Sequence, residues 1–120
     1  MQVLVVDDEQ MILQLAEKIL SRSEIESVLA ENFEQAISLF TNNHEDISVA
    51  IVDLFLGNDS GLVFLEKIRQ IKPKIPCILS SGNAPRDGDI PEEVRDNTFF
   101  LAKPYRAAEL TDMVKKAAKG

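Results

Sequence analysis

The feature that most constrains the fold is a regular alternation between short apolar runs and longer segments with helical spacing. Three runs are rich in β-branched or aliphatic residues: Val3–Val6, Ile47–Val52 and Cys77–Leu79. Strands with one face in water alternate apolar and polar residues, whereas parallel strands covered on both faces are apolar almost throughout. These runs therefore predict buried parallel strands, and Glu26–Leu29 and Thr98–Leu101 predict two weaker ones.

The segments between the runs carry apolar residues at the spacing of amphipathic helices. The positions that define the four predicted helices are Met11, Ile12, Leu15, Ala16, Ile19 and Leu20; Phe33, Ala36, Ile37 and Phe40; Leu62, Leu65 and Ile68; and Leu110, Met113, Val114 and Ala117. Asn32, followed three residues later by Gln35, is typical of a helix N-cap, and Pro73 ends the third pattern. Strands that alternate with helices predict a doubly wound (flavodoxin-like) α/β fold, with a five-stranded parallel sheet and helices on both faces.

Length and charge limit the classes of function. We expect one domain over residues 1–120, because 120 residues with 45% apolar composition suffice for one core. The formal net charge of −7 disfavours direct nucleic acid binding, which needs clustered Lys and Arg. Val3–Val6 is too short for a signal peptide or a membrane span, so we expect a cytoplasmic domain without membrane contact. Cys77, the single cysteine, is expected in the core.

Chemically active side chains follow the predicted strands at their carboxyl ends. In chain order these are Asp7 and Asp8, then Asp53, then Ser81, then Lys103. Ligands of doubly wound sheets bind outside this edge, near the reversal in strand order. Carboxylates gathered there repel one another, so either they hold a proton or a cation neutralises them. Oxygen ligands alone favour Mg²⁺, and Lys103 supplies a second positive charge.

Each of these features has a common structural explanation when taken alone. An acidic pair after a strand is often a helix cap, and Ser80-Ser81-Gly82 is typical of a turn. His44, the only histidine, falls in a predicted loop and is assigned to the surface without a chemical role. The combination of acid pair, acid, hydroxyl and lysine at four strand ends is what indicates a site.

Four motifs in this order resemble those of the receiver domains of two-component response regulators. They are Val3–Glu9, Asp53-Leu54 with Gly61, Ile78–Gly82 and Phe100–Pro104, and the resemblance covers the whole chain. It implies that the domain accepts a phosphoryl group from a histidine kinase or a histidine phosphotransfer protein, and that an output partner, fused or separate, detects the change.

The resemblance also implies a role for each site residue. Those roles are Asp53 as phosphoacceptor; Asp8 and Asp53 as direct Mg²⁺ ligands, Asp7 as a ligand mainly through water and Phe55 through its backbone carbonyl; Lys103, the Ser81 hydroxyl and the backbone N–H groups of Leu54 and Gly82 as phosphoryl partners; and Phe100 as the aromatic residue that changes rotamer.

Some residues depart from the usual receiver pattern. Leu56-Gly57 stands where Met-Pro is frequent, and Phe100 has no hydroxyl for a tyrosine-type hydrogen bond. Phe55 and Asn83, at the positions that tune phosphoryl lifetime in this family, predict slow dephosphorylation. The prolines and glycines between Gly82 and Pro91 predict a loop that phosphorylation orders, and a fourth helix that is short or irregular, as in receivers attached to hybrid histidine kinases.

The main alternative is a Mg²⁺ phosphohydrolase that turns over small substrates through an aspartyl phosphate. Haloacid-dehalogenase-like enzymes place their nucleophile after the first strand in an Asp-x-Asp pattern, whereas this strand ends in Asp7-Asp8-Glu9. A third alternative, an interaction module with a vestigial pocket, is opposed by the intact set of site residues. We therefore predict a domain that phosphorylates itself and is not a turnover enzyme.

Overall fold

The computed structural model describes residues 1–82 and 90–119 and contains a five-stranded sheet. In chain order the elements are β1 (Gln2–Val6), α1 (Gln10–Arg22), β2 (Glu26–Ala30), α2 (Phe33–Asn43), β3 (Ile47–Asp53), β4 (Phe55–Leu56), β5 (Asp59–Ser60), α3 (Gly61–Ile71), β6 (Cys77–Ser81), β7 (Thr98–Ala102) and α4 (Ala107–Lys119). The four helices and five main strands lie where the alternating pattern predicts them. The two-residue strands β4 and β5 form a small antiparallel hairpin that the sequence did not predict.

The strand order in the sheet is β2-β1-β3-β6-β7, and every neighbouring pair is parallel. The chain runs from β1 outward to β2, then returns to β3 on the other side of β1. The order therefore reverses between β1 and β3, which confirms the doubly wound fold. Asp7 directly follows β1 and Asp53 ends β3, so both lie at this switch point.

Both faces of the sheet are covered, which explains the continuous apolar runs. In β1, Val3 and Val5 belong to the core formed with α1 and α4, whereas Leu4 and Val6 belong to the core formed with α2 and α3. All four are at most 1% exposed. Because neither face meets water, no position in this strand favours a polar residue.

The helix ends follow the predicted capping pattern. The Asn32 side-chain oxygen accepts a hydrogen bond from the Gln35 N–H (2.7 Å), and the Gln35 side-chain oxygen accepts one from the Glu31 N–H (2.8 Å). These bonds satisfy donors at the start of α2 that no helical carbonyl reaches. Helix α3 ends at Ile71, two residues before Pro73.

The predicted apolar face of α1 was partly wrong. Met11 is 81% exposed and Leu15 is 37% exposed, whereas Leu13, absent from the predicted set, is buried. The buried stripe runs through Leu13, Ala16 and Ile19–Leu20, which also has helical spacing. Two apolar stripes overlapped in this segment, and packing against the sheet selected one of them.

Between β6 and β7, the described residues contain only a 3₁₀ turn at Glu92–Val94. This agrees with the predicted short or irregular fourth helix. Residues 83–89 lie outside the described part of the chain, and with them fall Asn83 and most of the predicted Gly82–Pro91 loop. Within the described ranges, no helix is both long and apolar enough to cross a lipid bilayer.

Candidate functional site

Three carboxylates meet at the carboxyl edge of the sheet. Asp7 and Asp8 follow β1, Asp53 ends β3, and one oxygen from each lies within 4.8 Å of the others. Asp7 is fully buried, Asp53 is 8% exposed and Asp8 is exposed. The sequence prediction that these three residues converge agrees with the described geometry.

Lys103 lies between two of these carboxylates. Its Nζ atom is 2.8 Å from Oδ2 of Asp53 and 2.5 Å from Oδ2 of Asp7. Burial alone would lower the pKa of Lys103, but the hydrogen bonds and charges of Asp53 and Asp7 outweigh it, so the pKa is raised above its usual value. Lys103 therefore holds its full charge at neutral pH.

Backbone amides fix the other oxygen of each buried carboxylate. The Glu9 N–H donates to Oδ1 of Asp7 (3.0 Å), and the Phe55 N–H donates to Oδ1 of Asp53 (3.1 Å). Both Oδ2 atoms consequently point toward Lys103. Oδ2 of Asp7 is buried and pairs with the Lys103 ammonium, and a carboxylate oxygen has a second lone pair that could accept a cation or a water bound to one.

The donor set fits a magnesium ion. Magnesium takes oxygen ligands at about 2.0–2.1 Å, so ligand oxygens on opposite sides of one ion lie about 4 Å apart. The 4.8 Å spread of the three carboxylates is close to this span, and small side-chain rotations would close the difference. Cysteine and histidine ligands, which favour softer metals, are absent from this described cluster.

Gly61 permits the close packing beneath Asp53. A Cβ atom at this position would lie 2.5 Å from the Asp53 carbonyl oxygen and 3.2 Å from Cα of Leu54. The Gly61 N–H also donates to the Leu54 carbonyl (2.7 Å), which ties the start of α3 to the segment after Asp53. Any side chain here would displace the backbone that carries the acceptor carboxylate.

The carboxyl edge opens into a cavity of about 470 Å³. Its lining residues are Glu9, Ile12, Asp53, Phe55, Ser81, Gly82, Lys103 and Pro104. Clefts of about 540 Å³ beside α2 and α3 and about 840 Å³ beside the turn from α1 to β2 are larger. Charge and chemistry, rather than size, distinguish the edge cavity as the candidate site.

The predicted phosphoryl donors do not all lie in the expected place. Ser81 and Gly82 line the cavity at the end of β6, as predicted. The Leu54 N–H, however, donates to the Ser80 carbonyl (2.9 Å), and this bond competes with the predicted role of Leu54. The Phe55 N–H is the amide that meets Asp53. Sequence carries no signal for this difference, because the backbone path after β3 decides which amide turns toward the carboxylate.

The two predicted aromatic residues occupy different surroundings. Phe55 is 63% exposed and contributes to the cavity lining. Phe100, in β7, is partly buried and packs against the core on the α2 and α3 side. The structure describes one rotamer of Phe100, and the predicted change of rotamer stays a prediction.

Tyr105, between β7 and α4, is a site-adjacent residue that the sequence did not single out. It is 6% exposed and belongs to the core between the sheet, α1 and α4. Its hydroxyl donates to Oγ of the fully buried Ser80 (3.1 Å). Burial raises the pKa of Tyr105, and the hydrogen bond that its hydroxyl donates to Ser80 and the charge of Lys103 only partly oppose that shift. A polar serine in an otherwise apolar strand was the sequence signal for such a partner.

The fold and the edge define a class: doubly wound α/β domains with a carboxylate and lysine centre at the switch point. The sequence profile of the response regulator receiver domain matches residues 3–115. A solved receiver domain protein from Clostridium thermocellum superposes with a TM-score of 0.85 at 28% identity, covering 98% of this chain and 94% of that one.

Two longer relatives show the same likeness. The two-component response regulator EHD1 of Oryza sativa subsp. indica is 28% identical over 116 residues, which are 94% of this chain and 33% of that protein. The heme response regulator HssR of Staphylococcus saprophyticus is 28% identical, covering 97% of this chain and 50% of that protein. The chain thus spans a third to a half of the length of these relatives. It belongs to the response regulator receiver domain family, whose members act in two-component signalling and are generally not turnover enzymes.

Proposed function

We propose that this domain accepts a phosphoryl group on Asp53 from the phosphohistidine of a kinase or of a phosphotransfer protein. The observation that carries the proposal is the position of Lys103, whose Nζ contacts Asp7 at 2.5 Å and Asp53 at 2.8 Å within a cluster of three carboxylates. This arrangement places one fixed positive charge beside a carboxylate that opens into a cavity. It suits the transfer of an anionic group.

The reaction follows from the chemistry of the acceptor. An oxygen of Asp53 attacks phosphorus, the bond from phosphorus to the donor imidazole nitrogen breaks, and the imidazole leaves with that electron pair and takes up a proton. A carboxylate is ionised near neutral pH, so the attack needs no separate general base. Catalysis then rests on alignment and on stabilising charge at the phosphoryl oxygens.

The residues that would hold Mg²⁺ are Asp8 and Asp53 directly, Asp7 mainly through water, and the Phe55 carbonyl. When bound, the ion neutralises the phosphoryl oxygens and offsets the repulsion among the carboxylates. Lys103 would turn from Asp7 toward a phosphoryl oxygen, since it already lies within contact of Asp53.

The remaining contacts to the phosphoryl group would come from the rim of the cavity. Ser81 would donate its hydroxyl, and the Gly82 N–H would donate beside it. The Phe55 N–H is better placed than that of Leu54, which is bonded to the Ser80 carbonyl. We propose that these contacts move the end of β6, that Phe100 then packs further inward, and that an output partner, fused or separate, binds the altered surface.

The test is intact mass after treatment with acetyl phosphate and Mg²⁺. We expect one added phosphoryl group per chain, labile to base and to hydroxylamine, and none in Asp53→Asn. Asp59→Asn is the matched control, because Asp59 is an exposed carboxylate in β5, between β3 and α3. Equal labelling of Asp53→Asn and the parent would refute the assignment.

The phosphohydrolase alternative predicts a different stoichiometry. Repeated release of phosphate from small phosphomonoesters, many turnovers per chain, would favour that enzyme. Release that never exceeds the acyl phosphate formed on the chain would favour the receiver.

A further inference from the structure

One buried polar pair has no part in the proposed phosphoryl transfer. Ser80 is 0% exposed and Tyr105 is 6% exposed, and the tyrosine hydroxyl donates to Oγ of the serine at 3.1 Å. Both lie on the face of the sheet that packs against α1 and α4. Ser80 shares its face of β6 with Ile78, and Tyr105 belongs to the same core as Ile78. A buried hydroxyl without a hydrogen-bond partner is unfavourable, so this bond restrains both side chains.

The pair lies between the acceptor site and the last helix. On the site side, Ser80 is the register partner of Asp53, and its carbonyl accepts the Leu54 N–H at 2.9 Å. On the helix side, Tyr105 packs in the same core as Leu110 and Val114 of α4. The hydrogen bond between Tyr105 and Ser80 therefore links the backbone beside Asp53 to the core that contains α4.

Each member of the pair is also close in sequence to a residue that binds the phosphoryl group in the proposed function. Ser80 precedes Ser81, and Tyr105 follows Lys103 by two residues. Ser81 and Lys103 are themselves joined, because the Lys103 N–H donates to the Ser81 carbonyl at 3.0 Å. Displacement of either residue toward a phosphoryl group would be transmitted to the hydroxyl pair by the backbone.

We propose that the hydrogen bond from Tyr105 to Ser80 couples the state of Asp53 to helix α4, and that phosphorylation weakens it. This inference rests on the proposed function. The phosphoryl group attracts the Ser81 hydroxyl, which displaces the neighbouring Ser80. It also releases Lys103 from Asp7, which displaces the segment that carries Tyr105. A bond made in one state and weakened in the other gives the two states different energies, as a switch requires. Tyr105 would thereby make a hydrogen bond that depends on phosphorylation, which Phe100 has no hydroxyl to make.

Intrinsic fluorescence tests the coupling directly, because Tyr105 is the sole tyrosine and the chain contains no tryptophan. Emission is recorded before and after treatment with acetyl phosphate and Mg²⁺, and intact mass is measured on the same samples. We expect the parent to change its tyrosine emission as the mass increases. Unphosphorylated Ser80→Ala should already emit like the phosphorylated parent, and should gain the phosphoryl group without a further change.

The control variant is Ser48→Ala, a serine at the opposite end of the central strand from Asp53. It should keep the emission change of the parent. Mass gain with unchanged emission in the parent, or with the same emission change in Ser80→Ala, would overturn the coupling while leaving phosphoryl acceptance intact. Absence of mass gain in the parent would overturn the proposed function, and the coupling with it.

A second variant tests the coupling through hydrogen exchange in helix α4 rather than through tyrosine emission. In the parent, phosphorylation should alter amide hydrogen exchange in Ala107–Lys119, and Tyr105→Phe should lose that difference while still gaining the phosphoryl group. Tyr105→Phe removes only the hydroxyl and keeps the ring in the core, so it is expected to fold. A phosphorylation-dependent change in α4 that is equal in Tyr105→Phe and the parent would contradict the proposal.

Discussion

Lys103 offsets the negative charge of two of the three carboxylates in the site. Its ammonium group is 2.8 Å from Asp53 and 2.5 Å from the fully buried Asp7. Without it, two close carboxylates would face each other with amide donors alone. The residue that would later bind the phosphoryl group thus also stabilises the unphosphorylated fold.

Replacing Lys103 by methionine should therefore destabilise the domain. Removing one member of a buried ion pair costs about 3–5 kcal/mol, and we expect the lower end because the cavity lets water reach Asp53. Added Mg²⁺ should restore more stability in Lys103→Met than in the parent, since it supplies the missing charge. Urea unfolding with and without Mg²⁺ measures both effects. Lys115→Met, at an exposed position of α4, is the control, and equal stabilities for the two variants would contradict this charge balance.

Phe55 should control how long the phosphoryl group survives. Its side chain is 63% exposed at the cavity and has no group that could orient an attacking water molecule. Phe55→Asn introduces an amide there and should accelerate dephosphorylation, followed as loss of the phosphorylated mass over time. Val63→Asn changes another exposed apolar residue, on α3, and should decay like the parent. Equal decay of Phe55→Asn and the parent would show that this side chain does not shield the phosphate.

At the scale of elements, hydrogen bonds from α3 anchor the described residues just before β7, where the sheet topology would place the end of a further helix. The Arg69 guanidinium donates to the carbonyls of Ile75 (3.1 Å), Val94 (2.8 Å) and Asn97 (3.0 Å). Burial lowers the pKa of Arg69, and nearby charges oppose the shift only in part. The 3₁₀ turn at Glu92–Val94 and the start of β7 are consequently tied to α3 through one side chain.

Arg69→Met should loosen this region more than the rest of the fold. Hydrogen bonds to a charged group contribute about 1.5–3 kcal/mol each at most, and several would be lost together, so we expect a loss of about 2–4 kcal/mol. Amide hydrogen exchange from Val94 to Thr98 should accelerate more than exchange in β1. Arg22→Met, at an exposed position of α1, should leave both unchanged. Exchange that accelerates uniformly over the chain would rule out a local role for Arg69.

The elements were predictable where a single physical requirement acted. Burial on both faces left a continuous apolar run in Val3–Val6, and the side chain of Asn32 marked the start of α2. Prediction failed where tertiary packing chose between local alternatives. Met11 and Leu13 have equally helical spacing within their stripes, and only contact with the sheet decides which is buried.

The candidate site divides in the same way. Asp7, Asp8 and Asp53 converge because parallel strands share one carboxyl edge, and that follows from the order of the strands. The amide of Phe55 and the hydroxyl of Tyr105 were missed, because their partners lie far away in sequence or depend on the exact backbone path.

At the scale of the whole molecule, Cys77 should make stability fall at alkaline pH. It is fully buried, and burial raises the pKa of its thiol to about 12. An unfolded cysteine ionises near pH 8.5, so above that value the unfolded chain loses a proton that the folded chain retains. Unfolding then becomes easier as pH rises, by up to about 1.4 kcal/mol per pH unit.

Urea unfolding from pH 8.5 to about 9.5 keeps the contributions of lysine and tyrosine small, because both ionise mainly above that range. Cys77→Val keeps an apolar side chain in β6 and should lose the slope. A parent whose stability is constant across this window, or a variant with the same slope as the parent, would contradict the assignment of the effect to Cys77.

The central claim is that the side-chain carboxylate of Asp53 accepts the phosphoryl group. Reduction with borohydride converts an aspartyl phosphate into homoserine, so peptide mass spectrometry after labelling records which carboxylate was modified. We expect homoserine at position 53 alone, formed only with Mg²⁺ and acetyl phosphate together. Homoserine at another aspartate, or a phosphorylated chain that yields none at position 53, would contradict it.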